Sequence, residues 1–180
     1  MKIEIISSGN KEIFNFATPI GIGLVESAIN LTKLCLFDKP DLIIFIGTAG
    51  SYGNFKIFDI VESQAASNIE HCLIQKKCYT PINNIIVSRE TPIVNSSNYI
   101  TTDPLISKAF LKLNIELENM EFFSVMQVAK EFNIAVKGIF IVTNYCNEKA
   151  HEEYLKNIDK AKKILINYLI RKNYIKENYG

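Results

Sequence analysis

Glu121 is a carboxylate at the head of a segment that otherwise has the pattern of an apolar helix face, ENMEFFSVMQVAKEF (118–132). An acid in the first turn of a helix is favoured by the helix dipole, so the position has a purely structural explanation. A carboxylate held in place can also accept two hydrogen bonds from a vicinal diol, the pair of hydroxyls that a ribose presents. Glu121 therefore fits either a helix start or a sugar site.

Asn144 ends a buried apolar segment, AVKGIFIVTN (135–144), and offers a different chemistry. Its amide can donate a hydrogen bond to a ring nitrogen or accept one from a ring N–H, and it carries no charge that could change. A sugar at Glu121 and a base at Asn144 would together form a nucleoside site. The alternative is that Asn144 is a turn residue that simply ends its strand.

A third junction, IFIGTAGSYG (44–53), combines three glycines with the hydroxyls of Thr48 and Ser51. Glycine lets the backbone approach a ligand closely. A glycine-rich turn after a strand is more often structural, however, and this one is neither a P-loop nor a G-x-G-x-x-G fingerprint. By itself the segment is weak evidence for a binding site.

An alternation of strands and helices has to position these junctions. The continuous apolar run DLIIFIG (41–47) is typical of a strand covered on both faces. Segment 23–37 has helical periodicity, and the helix in 103–113 opens with Asp103 as its cap and Pro104 at its first position. This order predicts an α/β fold with a mixed, largely parallel sheet, in which ligands bind at the carboxyl ends of strands. Further strands are predicted at 2–6, 58–63, 84–88 and 115–119, and a long C-terminal helix at about 148–175.

The composition predicts one globular domain spanning 1–180. Apolar residues make up 48% and charged residues 22% of the 180, far from the signature of disorder. Twenty basic and nineteen acidic residues leave a net charge of +1, too balanced for a nucleic-acid binder, so we expect a small-molecule partner. The N-terminal segment 1–6 is too short for a signal peptide, and no apolar run reaches the length of a membrane span. These features predict a cytoplasmic protein that contacts neither nucleic acid nor membrane.

The four cysteines, Cys35, Cys72, Cys78 and Cys146, form no C-x-x-C pair. A chain with a core of this size does not need a disulfide framework, so we expect reduced thiols. His71 lies beside Cys72, but its spacing to the cysteines fits no common zinc site, and no metal is predicted.

Four segments, in this order and at these spacings, carry a resemblance to a known family. They are GIGLVESA (21–28), DLIIFIGTAGSYGNFKIFDIVES (41–63), NSSNYI (95–100) and NMEFFSVMQVAKEFNIAVKGIFIVTN (119–144). Together they resemble the nucleoside phosphorylase superfamily, which includes purine nucleoside phosphorylases and methylthioadenosine/S-adenosylhomocysteine nucleosidases. The resemblance implies a mixed central sheet flanked by helices, and cleavage of the N-glycosidic bond of a nucleoside.

The resemblance also implies roles for individual residues. Glu121 matches the carboxylate that binds the ribose diol, and Met120 matches the methionine that lines the sugar. Thr48, which follows Gly47 in the glycine-rich segment, matches the hydroxyl beside the phosphate or attacking water. We therefore expect all four residues to bind substrate.

At the base end, Tyr99 falls where many members place an aromatic ring against the purine. Asn144 occupies the position of the residue that acts at the purine N7, and is the predicted catalytic residue. Nucleosidases and hexameric phosphorylases usually have aspartate there, whereas a Thr-Asn pair is similar to the trimeric phosphorylases.

On this resemblance the first expectation is a purine nucleoside phosphorylase, a glycosyltransferase that uses phosphate as co-substrate to release free base and ribose 1-phosphate. No cofactor is expected besides phosphate as co-substrate. We expect a homo-oligomer, with a dimer as the first guess. Whether the base is a 6-oxo- or a 6-aminopurine stays open, since no residue that would read that position can be identified.

Two alternatives also stay open. Phe45 stands where hexameric phosphorylases carry a phosphate-binding arginine, and the chain has only two arginines, Arg89 and Arg171, which favours a nucleosidase that uses water. Glu12 is then the nearest candidate for the water-activating base by position. The N-terminal segment 7–19 has no clear match to the family's phosphate loop or glutamate cluster, which favours a catalytically impaired nucleoside-binding subunit.

Overall fold

A mixed sheet with helices on both faces forms the framework of the computed structural model, which describes residues 2–176. This confirms the predicted fold class. Within that range the strands are β1 Ile3–Ser7, β2 Thr18–Pro19, β3 Leu42–Ser51, β4 Ile60–Ser63, β5 Ala65–Ser67, β6 Ile85–Val87, β7 Ile93–Ser96, β8 Ile115–Asn119 and β9 Ala135–Tyr145, and the helices are α1 Gly23–Asp38, α2 His71–Ile74, α3 Pro104–Lys112, α4 Phe122–Glu131 and α5 Ala150–Arg171.

Strand β3 lies at the centre of this sheet. It pairs in parallel with β1 on one side and with β9 on the other, and its last residues also pair antiparallel with β8. The strand order runs β2-β1-β3-β8-β7-β5-β6, while β9 carries β4 on its outer edge. Since β1, β3 and β9 run in the same direction, their carboxyl ends meet at one edge of the sheet.

Successive residues of β3 face the two helical layers alternately, as the pleat of a strand requires. Ile43 and Phe45 pack in the core formed with α1 and α4. Ile44 and Ile46 pack against the apolar side of α5. Because β3 is covered on both faces, its sequence is continuously apolar rather than alternating.

The glycine-rich segment after residue 47 is part of β3, and not a turn after it as the sequence suggested. Pairing with β9 continues as far as Ser51, but the register shifts between Ala49 and Gly50. Ala49 lies opposite Val142, and Gly50 lies opposite Asn144, so that β9 has one extra residue at this point. A bulge of this kind re-aims the side chains beside it.

Cys72 and Cys78 form a disulfide, so the prediction of four reduced thiols is wrong for these two. After α2, Lys76 adopts a left-handed conformation with φ 57°, and the amide of Lys77 donates to the carbonyl of Cys72 at 2.8 Å. This turn brings the two Cα atoms to 5.4 Å, a separation that a disulfide can bridge. The prediction of reduced thiols was based on core size and did not take this local turn into account. Cys35 and Cys146 are free and buried.

Among the described residues, none of the helices combines the length and the apolar character that a membrane crossing needs. Within the same range, no group of three or more His, Cys, Asp or Glu side chains is arranged to hold a metal ion.

The predicted start of α3 is confirmed. Asp103 Oδ1 accepts a hydrogen bond from the amide of Leu105 at 2.8 Å, and Pro104 is the first helical residue. We expect Asp103→Ala to lower the free energy of unfolding by about 1 kcal/mol, because a helix amide loses its acceptor. Asp103→Asn, which keeps an oxygen at the same place, is the matched control. Equal stability of the alanine and asparagine variants in urea denaturation would contradict this role.

Candidate active site

A cavity of about 230 Å³ opens where the carboxyl ends of β3 and β9 meet. Four parts of the chain form most of its wall: the loop at 8–12, the end of β3, the junction between β8 and α4, and the start of α5. The lining residues are Ser8, Gly9, Asn10, Glu12, Ile22, Thr48, Ala49, Gly50, Ile100, Glu118, Asn119, Met120, Glu121, Asn144, Ala150, His151 and Tyr154. The three sequence junctions with suggestive chemistry therefore contribute to a single cavity.

Glu121 lies in the wall immediately before α4 and is 4% exposed. The backbone amide of Gly23, at the start of α1, donates to its Oε1 at 3.0 Å. The Asn119 side-chain amide donates to its Oε2 at 2.7 Å. Each carboxylate oxygen therefore has one protein donor and keeps acceptor capacity for a ligand.

Asn119 fixes the place of Glu121, and sequence reasoning missed it. Its Oδ1 accepts hydrogen bonds from the amides of Glu121 and Phe122, both at 2.7 Å. One side chain thus caps the first amides of α4 and also orients the carboxylate. An asparagine two residues before an acid at a helix start was the signal that could have revealed it.

Glu12 is a second carboxylate in the wall. Its Oε2 accepts from the Thr48 amide and its Oε1 from the Thr48 hydroxyl, both at 2.7 Å. A Cβ atom on Gly47 would lie 3.0 Å from Glu12 Oε2, so glycine at this position leaves room for the carboxylate. Thr48 and Gly47 therefore position Glu12, and their predicted contact with substrate stays a prediction.

Burial raises the pKa of both acids, and the charge of Glu12 adds to the shift of Glu121. Burial, and after it the charge of Glu12, raises the pKa of Glu121 to about 7. Burial also raises the pKa of Glu12, although hydrogen bonds from Thr48 and the charge of Lys162 oppose the shift. Tyr154 lines the same cavity, and burial together with the charges of both carboxylates raises its pKa to about 12. It is therefore a neutral hydroxyl at any physiological pH.

Asn144 lies in the wall at the end of β9, where the bulge opposite Gly50 places it. Its Oδ1 accepts from the Thr143 hydroxyl at 2.9 Å, and its Nδ2 donates to the Tyr145 carbonyl at 3.2 Å. An amide nitrogen has two hydrogens, so one stays available for a ligand. A Cβ atom on Gly50 would lie 3.0 Å from Nδ2, which shows that Gly50 leaves space for this amide.

The other predicted residues divide into two groups. Met120 lines the cavity, as its predicted contact with the sugar requires. Tyr99 is 73% exposed and lies outside the cavity wall, where its neighbour Ile100 is found instead. The role of Tyr99 as a base-stacking residue therefore stays a prediction. Arg89 is exposed and does not contribute to the wall.

Glu118 is a third buried acid in the wall, which sequence reasoning missed. It accepts hydrogen bonds from the Tyr52 hydroxyl at 2.8 Å, the Thr101 amide at 2.8 Å and the Thr101 hydroxyl. Burial raises its pKa, with these hydrogen bonds in opposition. Its acceptor capacity is largely used within the protein, so Glu118 holds residue 101 and the loop before it rather than a ligand.

The chain is similar to known nucleosidases and to a hydrolase. A 5′-methylthioadenosine/S-adenosylhomocysteine nucleosidase of Maridesulfovibrio salexigens is 27% identical, with 78% of this chain and 73% of the relative covered. A mutant Helicobacter pylori enzyme of that type, solved with 5′-methylthioadenosine in its active site, superposes with a TM-score of 0.79 at 13% identity, over 95% of this chain and 98% of its own. Futalosine hydrolase of the same organism gives 0.75 at 15% identity, over 93% and 99%. No family model matches the chain.

The fold is that of the nucleoside phosphorylase superfamily. The curated relative and the structural neighbours are nucleosidases of the kind that the sequence resemblance named, which confirms that resemblance. The expectation of a phosphorylase, and of a glycosyltransferase generally, is contradicted, because these relatives are named as nucleosidases and a hydrolase. The Thr-Asn ending of β9, which suggested phosphorolysis, does not distinguish the two reactions.

The raised pKa of Glu121 gives a testable dependence of stability on pH. Between its ordinary value of 4.5 and about 7, the folded protein retains a proton that the unfolded chain has released. The stabilisation is thus fully present below pH 4.5 and is lost as pH rises through 7, a change of about 3 kcal/mol. Glu121→Gln should remove this dependence, so the variant should gain stability relative to the parent between pH 5 and pH 8.

Urea denaturation at both pH values measures the difference. Glu131→Gln, an exposed substitution at the end of the same helix, is the control and should follow the parent. Parallel behaviour of Glu121→Gln and the parent from pH 5 to pH 8 would contradict a buried, proton-retaining carboxyl.

Proposed function

We propose that this protein is an enzyme of nucleoside metabolism that hydrolyses the N-glycosidic bond of a purine nucleoside, with water as the nucleophile. The observation that carries the proposal is the pair of Glu12 and Glu121 in one cavity wall. Glu12 is positioned by Thr48 as a base for water, while Glu121 retains acceptor sites for a sugar. The nucleosidase and hydrolase names of the relatives support the same reaction.

The ribose is held by Glu121. The 2′- and 3′-hydroxyls of the ribose donate to the two carboxylate oxygens of Glu121, which Gly23 and Asn119 already hold in place. Charge-assisted hydrogen bonds to a preorganised carboxylate are roughly twice as strong as neutral ones. Met120 supplies the apolar contact against the sugar.

Glu12 takes a proton from water as the water attacks the anomeric carbon. Burial raises the pKa of Glu12 in the direction of neutral pH, and a general base is most effective when its pKa lies near the working pH. The two hydrogen bonds from Thr48 hold the carboxylate in one orientation throughout the reaction. Neutral Tyr154 lines the same cavity, where its hydroxyl can donate a hydrogen bond without adding charge.

Asn144 activates the leaving purine. The free hydrogen on its Nδ2 can donate to N7 as negative charge builds on the base, and this contact strengthens in the transition state. An amide cannot transfer a proton in the way that a carboxylic acid does, so activation relies on the hydrogen bond alone.

The charge of the cavity argues against phosphate as the co-substrate. Three carboxylates, Glu12, Glu118 and Glu121, contribute to the wall. Among residues 2–176, neither lysine nor arginine lines it. A phosphate dianion would therefore enter a site that repels anions and offers it no bidentate cation.

The test is to incubate the protein with 5′-methylthioadenosine, S-adenosylhomocysteine, futalosine, inosine and adenosine, each with and without phosphate. We expect free base and free sugar, with a rate independent of phosphate. Glu12→Gln should lower the turnover rate at least a hundredfold while nucleoside binding changes little, because only the proton acceptor is lost. Glu131→Gln should retain the parent rate. Formation of a sugar 1-phosphate, or full activity of Glu12→Gln, would overturn the proposal.

Asn144 gives an independent prediction. Asn144→Ala should lower the turnover rate on the order of a hundredfold and change apparent substrate affinity far less, because one preorganised donor is lost. Asn144→Asp can donate only while it is protonated, so its activity should rise at lower pH and fall as pH increases through the aspartate's pKa. An alanine variant as active as the parent, with a flat pH profile for the aspartate variant, would mean that Asn144 only ends its strand.

A further inference from the structure

Lys162, on α5, reaches across to the loop that carries Glu12. Its Nζ donates to the carbonyl of Lys11 at 2.9 Å and to the carbonyl of Ile13 at 3.0 Å. The same ammonium group lies 4.9 Å from the centre of the Phe14 ring, within the range of a cation–π contact. One side chain therefore binds the backbone on both sides of Glu12 and the ring that follows.

The loop that carries Glu12 has few internal hydrogen bonds that could hold its backbone in place without Lys162. A single short 3₁₀ turn, Asn10–Glu12, is closed by hydrogen bonds from Glu12 to Gly9 at 3.1 Å and from Ile13 to Asn10 at 3.4 Å. Asn10 also adopts a left-handed conformation with φ 51°, which asparagine tolerates better than most residues. Thr48 fixes the carboxylate of Glu12 but does not fix the backbone of the loop.

Lys162 also contributes charge to the site. Besides Glu12, the titratable groups that line the same cavity are Glu118, Glu121, His151 and Tyr154, while Lys162 reaches the loop of Glu12 from α5. The charge of Glu12 raises the pKa of Glu121 and of Tyr154. The charge of Lys162 lowers the pKa of Glu12, against the larger effect of burial.

We propose that Lys162 is a positioning residue of the active site: it fastens the 9–13 loop to α5 and places a positive charge on the backbone on both sides of Glu12. The loop attachment is a property of the protein alone. The effect on catalysis rests on the proposed function, in which Glu12 is the base.

The attachment is tested without any substrate. Hydrogen exchange of the backbone amides in 9–13 should become about tenfold faster in Lys162→Met, because the side chain that bridges two carbonyls is lost. Lys162→Arg can still donate to both carbonyls and should protect the loop. Lys163→Met removes a charge from the adjacent, exposed position and is the matched control. Lys162→Gln serves in place of the methionine variant if the latter does not fold. Unchanged exchange of the loop in the neutral variants would overturn the attachment.

The charge effect is tested by the pH profile of the turnover rate. Without Lys162 the pKa of Glu12 should rise, so the acidic limb of the profile should move to higher pH, with a severalfold loss of rate confined to that limb. Lys162→Arg and Lys163→Met should keep the parent profile.

A loss of rate by the same factor at every pH would show that Lys162 acts through structure alone and would overturn its electrostatic role. If the parent hydrolyses none of the five nucleosides, the proposed function fails, and the exchange measurement still decides the attachment. The two failures are therefore distinguishable.

Discussion

The central constraint on this molecule is the burial of three carboxylates in the wall of one cavity. A buried carboxylate is costly unless hydrogen bonds replace its hydration. Here each acid has its own donors, from Gly23 and Asn119 to Glu121, and from Thr48 to Glu12. The donors are mostly backbone amides and neutral side chains, so the acids stay available to a ligand and are not neutralised by ion pairs.

Those donors can converge because β3 has three partners. Its pairing with β9 brings Thr48 and Asn144 to the same edge of the sheet, and its final residues pair with β8, which leads directly into Asn119 and Glu121. The start of α1 is held there as well, through the bond from Gly23 to Glu121. The apolar core on both faces of β3 therefore does more than stabilise the fold, since it fixes the geometry among the acids.

Features that depend on local sequence could be predicted, whereas features that depend on distant contacts could not. The cap of α3, the course of α1 and the acid before α4 are encoded within a few residues and were correct. The short strands β2, β5 and β7 escaped prediction because they are defined by their pairing with other strands rather than by a pattern within their own two to four residues. The disulfide was missed although it is local, because its turn needs a left-handed residue and the sequence has lysine at that position rather than glycine or asparagine.

The residues of the site divide in the same way, into those that the local sequence could reveal and those that depend on distant contacts. Glu121 and Asn144 stood out because polar residues at the ends of apolar segments are unusual. Glu118 did not, because its donors Tyr52 and Thr101 lie 66 and 17 residues away. Glu12 could be chosen only by its position, since Thr48 is 36 residues distant and the chain between them gives no sign that they meet.

Asn144 is best understood from the same electrostatic constraint. An aspartate at this place would be a fourth acid in a wall that already holds Glu12, Glu118 and Glu121, and each new negative charge raises the cost of ionising the others. An amide fills the position without adding charge, and its hydrogen bonds with Thr143 and Tyr145 leave one N–H hydrogen unused. The cost is the loss of a group that could protonate the leaving base. The cavity therefore places its proton chemistry at Glu12 and leaves only a hydrogen bond at the purine.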